Sequence, residues 1–192
     1  NTIIIFMSDN GGLSAVARQG EKHKHNYPLK SGKGSIYEGG IRVPMIVYSP
    51  FHNDSNKEVN HPVIIDDFFP SILELTNSIS KSVIQKIDGR SFVPLLNNEK
   101  YELKPLFWHY PNWWGPSGPG IGSYSAIRNG DWKLIYFHHN QTIELYNLKD
   151  DIFENNNLVL KENKKRIELS NMLTNYLISV DAQMPFNKLK NS

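Results

Sequence analysis

The 192 residues contain no cysteine. That excludes a disulfide framework, a thiolate zinc site and a cysteine nucleophile within the chain, and leaves the redox compartment open. Long apolar runs are also missing: none approaches the roughly 18 residues that a membrane-spanning helix needs. There is no excess of charge of one sign. The formal net charge of +2 offers no basic field for nucleic acid. No Gly-x-Ser-x-Gly elbow, internal repeat or low-complexity tract occurs. What remains is a chain with 39% hydrophobic and 21% charged residues, the balance of a globular protein.

The stretch that organises the chain is Thr2 to Gly12. Ile3 to Met7 is an unbroken apolar run, followed at once by Asp9, Asn10, Gly11 and Gly12. Such a run reads as a strand covered on both faces inside a parallel sheet. In open α/β sheets the carboxyl ends of strands are where ligands bind, and Asp9 and Asn10 sit at that end. The glycine pair is expected to turn the backbone away at positive φ. A strand with two apolar faces and two edges needs neighbours, and only Val43 to Tyr48 resembles it. The expectation is therefore the carboxyl-terminal piece of a longer chain that holds the rest of the sheet.

Along the chain, a polar loop from Leu13 to Tyr27 leads into the glycine-rich segment Pro28 to Arg42 and then the second strand. Asp66-Asp67 opens a helix with Pro70 in its first turn and an apolar face of Phe68, Phe69, Ile72, Leu73 and Leu75. Asp88 to Ser91 is a turn, with Phe92 to Leu96 packed behind it. The texture changes near Asn97. Leu106 to Tyr110, Tyr124 to Arg128, Trp132 to His138 and Thr142 to Asn147 read as strands, with Asn129-Gly130 as the hairpin signal. A final helix spans about Lys161 to Ser179, with its apolar stripe on Leu169, Met172, Leu173, Tyr176 and Val180.

Several residue sets carry candidate chemistry. Asp9 and Asn10 offer hard oxygen donors suited to calcium, which takes six to eight; the same residues are also good turn formers. Lys33, in Ser31-Gly32-Lys33-Gly34-Ser35, sets an ammonium between glycines that let backbone approach an anion. It is not a Walker loop, since Tyr27 and Gly34 stand where that motif needs Gly and Ser or Thr. A solvated lysine is the plain alternative. Glu38 and Arg42 read as structural partners. His23 and His25 read as a solvated loop, and His61, His138 and His139 carry no clear signal. His109 and Trp113 lie in Trp108-His109-Tyr110-Pro111-Asn112-Trp113-Trp114, ahead of a Gly/Pro-rich loop from Pro111 to Gly122. They line either a sugar-stacking pocket or the core.

Taken in order, these stretches resemble the type I sulfatases of the alkaline-phosphatase-like superfamily over nearly the whole chain. IIIFMSDNGG, NYPLKSGKGSIYEGGIRVPMIV, DDFFPSILEL, IDGRSFVPLL, AIRNGDWKLIYF and IELYNLKDDIFENNNL carry the likeness, with DAQMP and Asn187 at the tail. The resemblance implies that Asp9 and Asn10 ligate a divalent cation, calcium with magnesium as the alternative. It implies that Lys33 contacts the sulfate and that His109 stands near substrate. The family nucleophile is a formylglycine made within a Cys/Ser-x-Pro-x-Arg motif. Here the lone Ser-x-Pro, Ser117-Gly118-Pro119, lacks the arginine, so the nucleophile is expected upstream of Asn1 together with the remaining metal ligands.

The implied fold is α/β. Residues 1–97 are the carboxyl-terminal part of the sulfatase catalytic domain, with parallel-type strands and helices. Residues 98–192 are a small antiparallel sheet packed on a C-terminal helix. The implied function is hydrolysis of sulfate esters, of a sulfated saccharide in the first instance, in an exported (periplasmic, extracellular or lysosome-like) protein; this segment alone is expected to be inactive. The rivals are a phosphatase or phosphonate hydrolase of the same superfamily and a non-catalytic saccharide-binding module. The triplets Asn53-Asp54-Ser55 and Asn140-Gln141-Thr142 have glycosylation spacing.

Overall fold

The computed structural model describes residues 2–13, 25–51, 57–78, 85–113 and 118–185. His23, Trp114, Ser117, Asn187 and the triplet at Asn53 lie outside the described residues. The chain divides into two compact units that interleave in sequence, one of residues 6–46 and 105–192, the other of 1–5 and 47–104. The sequence suggests consecutive halves instead.

The core of the first unit is a four-stranded antiparallel sheet in the order β3 (Leu106–Tyr110), β4 (Tyr124–Asn129), β5 (Trp132–Phe137), β6 (Thr142–Asn147). Alternation along each strand sends successive side chains to opposite faces. On one face, Ile127, Leu134 and Leu145 pack against Leu169 and Leu173 of α4 (Asn163–Ser179). Phe107 stacks on Tyr176 with ring centroids 3.8 Å apart. On the other face, Ala126, Ile135, Phe137 and Tyr146 pack against Ile36 and Tyr37 of the lysine segment, just ahead of its short helix α1 (Glu38–Ile41). A small sheet thus buries both of its faces, which explains the mostly buried run of β4 and β5. The hairpin turn is Gly130-Asp131, one residue later than expected, because Asn129 pairs with Trp132. Val180 departs from the predicted stripe. It lies beyond the end of α4 and is half exposed.

The second unit is built on Asp67. A 3-10 turn, Ile65–Asp67, leads into α2 (Phe68–Leu75). The buried Asp67 carboxylate accepts the N–H groups of Ile64 (3.1 Å) and Arg90 (2.8 Å) and pairs with the Lys104 ammonium. Ser71 accepts the Phe92 N–H at 2.8 Å, which seats α3 (Val93–Leu96) behind α2. The expected apolar face of α2 is only partly used: Leu75 is buried, while Phe69 and Ile72 are exposed.

The remaining strands, β1 (Ile4–Met7) and β2 (Met45–Tyr48), form a two-stranded sheet. The expectation of a strand covered on both faces does not hold for this chain. Ile4 and Phe6 of β1 and Ile46 and Tyr48 of β2 are each more than half exposed. The exposed side chains alternate with half-buried ones along both strands, so one face of this sheet is uncovered among the described residues.

The packing makes a contrast testable. Leu169→Ala should lower the unfolding free energy by about 3 kcal/mol through a cavity in a fully buried site. Val180→Ala should change it by less than about 0.5 kcal/mol. Urea denaturation of the two variants measures both.

Candidate functional site

The carboxyl end of β1 and the lysine segment meet backbone to backbone. Gly11 donates its N–H to Gly40 O at 2.9 Å, and Lys33 donates its N–H to Gly12 O at 2.9 Å. The Asn26 amide ties the same place: its oxygen accepts the Gly12 N–H at 2.8 Å, and its nitrogen donates to Gly12 O (2.8 Å) and Ser31 O (2.9 Å). A Cβ on Gly11 would lie 1.7 Å from Gly39 O. The glycine is required by close approach, not by the positive φ expected for Gly11 and Gly12. Positive φ occurs instead beside Lys33, at Ser31 (63°) and Gly34 (87°). These left-handed residues tighten the loop that presents the lysine.

The backbone of Lys33 is therefore joined to the glycine pair that directly follows Asp9 and Asn10. Asp9 is exposed, while Asn10 and Lys33 are half-buried. Around them the backbone groups are engaged. Among the described residues, no hydrogen-bond or ion partner engages the three side chains themselves. No cluster of three or more His, Asp or Glu able to hold a metal exists among the described residues. Asp9 and Asn10 suit a hard cation by donor chemistry, but supply only part of the six to eight oxygens that calcium takes.

Behind the loop lies a buried charge network. Lys133 of β5 is fully buried, and its ammonium donates to Ile36 O (2.8 Å), Glu38 Oε1 (2.9 Å) and Glu154 Oε1 (2.8 Å). Glu154 Oε2 accepts the Glu38 N–H at 2.7 Å. Burial pushes the Glu154 carboxyl above its ordinary range, and the Lys133 ammonium works against that shift. The Glu38 carboxylate also has the Arg128 guanidinium at 3.7 Å and that of Arg42 at 4.0 Å. Lys30 donates to Glu154 O at 2.9 Å and stands over the Tyr37 ring, 4.0 Å from its centroid. The hydroxyls of Tyr37 and Tyr146 both donate to Glu144 Oε2, at 2.7 and 2.9 Å. Burial, reinforced by that carboxylate, raises both phenols well above their usual value.

The loop after β3 closes on the lysine segment. Ser31 and Ser35 donate their hydroxyls to Pro119 O at 2.8 and 2.9 Å, and Ile36 donates its N–H to Gly120 O at 3.1 Å. Trp113, at the start of this loop, is 60% exposed and meets the His139 ring edge to face. His109 goes elsewhere. Its register opposite Ser125 puts it on the sheet face that carries α4, away from the face covered by Ile36 and Tyr37.

There it belongs to a chain that sequence reading missed. His109 Nδ1 lies 2.7 Å from Ser125 Oγ, which lies 2.8 Å from His138 Nε2, and His109 Nε2 lies 2.8 Å from Gln183 O. A carbonyl only accepts, so His109 carries its proton on Nε2 when neutral. Nδ1 then accepts the Ser125 hydroxyl, and His138 donates from Nε2 to the same oxygen. Burial, and then the neighbouring His109, lower the His138 pKa.

The pattern of residues 31–183 matches the family described as N-sulphoglucosamine sulphohydrolase, C-terminal. A sulfatase of Formosa agariphila is 31% identical over 198 residues, an alignment that takes in 95% of this chain and 34% of the relative. The crystal structure of Ps i-CgsB in complex with k-i-k-neocarrahexaose superposes with a TM-score of 0.71 at 30% identity, over 96% of this chain and 38% of that one. BT4656 in complex with D-glucosamine-2-N,6-O-disulfate gives 0.64 at 26% identity, over 97% and 36%. The chain spans about a third of the length of these relatives.

The histidine–serine chain predicts a pH dependence. His138 has a folded pKa below its unfolded value, so its contribution to stability is present above about pH 6.5 and is lost as pH falls toward the folded pKa. Unfolding free energies from urea titrations at pH 7.5, 6.5 and 5.5 should decline in that order. In His138→Gln, which keeps an N–H donor for Ser125, the decline should be smaller.

Proposed function

The chain belongs to the N-sulphoglucosamine sulphohydrolase C-terminal family of the sulfatases, and we propose that it supplies the cation-binding strand end and the sulfate-contacting lysine of a sulfatase acting on a sulfated saccharide. The observation that carries this reading is the backbone junction of the lysine segment with the two glycines that follow Asp9 and Asn10, through the Lys33 N–H bond to Gly12 O and the Gly11 N–H bond to Gly40 O.

In this reading the Asp9 carboxylate and the Asn10 amide oxygen hold calcium, or magnesium in its place, with further ligands from outside the chain. When bound, a divalent cation supplies concentrated positive charge opposite the sulfate oxygens. Lys33 donates hydrogen bonds to the same group. Its ammonium stabilises charge that builds on the ester oxygen as the sulfur–oxygen bond breaks, which is where preorganised donors count most. The formylglycine nucleophile lies outside these residues. The saccharide reading is supported by two relatives bound to sugars, one to k-i-k-neocarrahexaose and one to D-glucosamine-2-N,6-O-disulfate. Trp113 is an exposed aromatic face on the loop that adjoins the lysine segment, suited to stack on a sugar ring. No helix among the described residues is long and apolar enough to cross a membrane. Export from the cytoplasm is proposed from the likeness to the sulfatases alone.

In the full-length sulfatase, Lys33→Ala should lower kcat/KM for a sulfate ester by about 100-fold or more. Asp9→Ala should do the same and also weaken calcium binding measured by calorimetry. Trp113→Ala should raise KM for a sulfated oligosaccharide and leave a small aryl sulfate unaffected. Unchanged turnover in Lys33→Ala would contradict the proposal.

A further inference from the structure

We propose that Lys133, with Glu38 and Glu154, is a positioning device for Lys33. The proposal rests on the reading of Lys33 as the sulfate-contacting residue. Stability alone is a poor account of this network. A buried ion pair is often no more stabilising than apolar residues of the same size, because desolvation offsets the attraction. What such a network provides is direction. All three donor positions of the Lys133 ammonium are used, by Ile36 O, Glu38 Oε1 and Glu154 Oε1, at 2.8, 2.9 and 2.8 Å. Each acceptor fixes a point in space.

The points are distributed around Lys33. On its carboxyl-terminal side, Ile36 O is held by Lys133, while Glu38 is held twice, by its carboxylate on Lys133 and by its N–H on Glu154 Oε2. On its amino-terminal side, Lys30 Nζ is held by Glu154 O at 2.9 Å, and Lys30 O accepts the Gly39 N–H at 3.0 Å. Glu154 thus ties both ends of the loop, through its side chain at one end and its carbonyl at the other. It does so from a left-handed backbone conformation, φ 54°, that a non-glycine residue adopts only when its surroundings impose it. Charge is closed locally: Lys133 and Arg128 face the carboxylates of Glu38 and Glu154. Between the two tied ends, Lys33 has its own N–H on Gly12 O, two residues after Asn10 in the chain. A loop held at 30, 33, 36 and 38 cannot slide relative to the strand end. A misplacement of about 1 Å in a group that acts on a transition state can cost 100-fold in rate.

The test uses the full-length enzyme with Glu154→Gln, which keeps an acceptor for the Glu38 N–H but loses the charge, and Lys133→Met. Amide hydrogen exchange is read at Lys33, Ser35 and Gly39 and, as the reference, across β4 to β6. We expect exchange to be about tenfold faster at the three loop amides, the loss of one charge-assisted bond, with the sheet amides unchanged. We expect kcat for a sulfate ester to fall about tenfold with KM within a factor of two, and no further loss on adding Glu154→Gln to Lys33→Ala, since coupled residues are not additive. Loop exchange that is unchanged, or that rises together with the sheet, would overturn the proposal. So would additive losses in the double variant. If Lys133→Met does not fold, Glu154→Gln carries the same comparisons. If the wild-type enzyme hydrolyses no sulfate ester, the functional reading fails, while the exchange measurement still decides whether the network holds the loop.

Discussion

The ammonium of Lys133 is the point on which the larger unit depends. A charge with no access to water must find all its partners inside the protein, and this one finds a backbone carbonyl and two carboxylates. Those partners come from two segments more than a hundred residues apart in sequence, the lysine loop and the turn after β6. Satisfying one buried cation therefore fixes the relation between the sheet and the loop. The apolar cluster of Ile36, Tyr37, Ile135, Phe137 and Tyr146 then fills the space around it. Apolar contact alone would allow the loop to shift in register; directed bonds do not.

The sheet separates two environments. On the loop side, the Asp9, Asn10 and Lys33 side chains have no hydrogen-bond or ion partner among the described residues. On the α4 side, His109, Ser125 and His138 use each other and Gln183 O. The two histidines differ from Lys33 in just this respect. His109 is engaged by Ser125 Oγ and Gln183 O and His138 by Ser125 Oγ, whereas among the described residues the Lys33 side chain has no hydrogen-bond or ion partner.

Much of this was legible in the sequence. Alternation in Trp132 to Phe137 and Thr142 to Asn147 predicts strands, and Leu169 with Leu173 predicts the buried side of α4. The resemblance carried by the order of motifs implies that Asp9, Asn10 and Lys33 share one site, and that grouping is a proposal. Other features depend on what the neighbours are. The run Ile3 to Met7 states that a strand is apolar, not that something covers both faces. His109 shares parity with Phe107, yet nothing in the sequence says which parity meets α4. Asn26 and Glu154 have roles that exist only after folding, because they bridge backbone groups of distant segments. Lys133 did leave a signal: it stands in phase with Ile135 and Phe137, a charge on an apolar face, which requires buried partners.

The most direct measurement is a crystal structure of the full-length protein grown with calcium and inorganic sulfate, with the cation identified by anomalous scattering. The account predicts calcium bonded to the Asp9 carboxylate and the Asn10 amide oxygen at about 2.3–2.6 Å, and sulfate within hydrogen-bond reach of the Lys33 ammonium. Calcium and sulfate bound away from Asp9, Asn10 and Lys33 would contradict it.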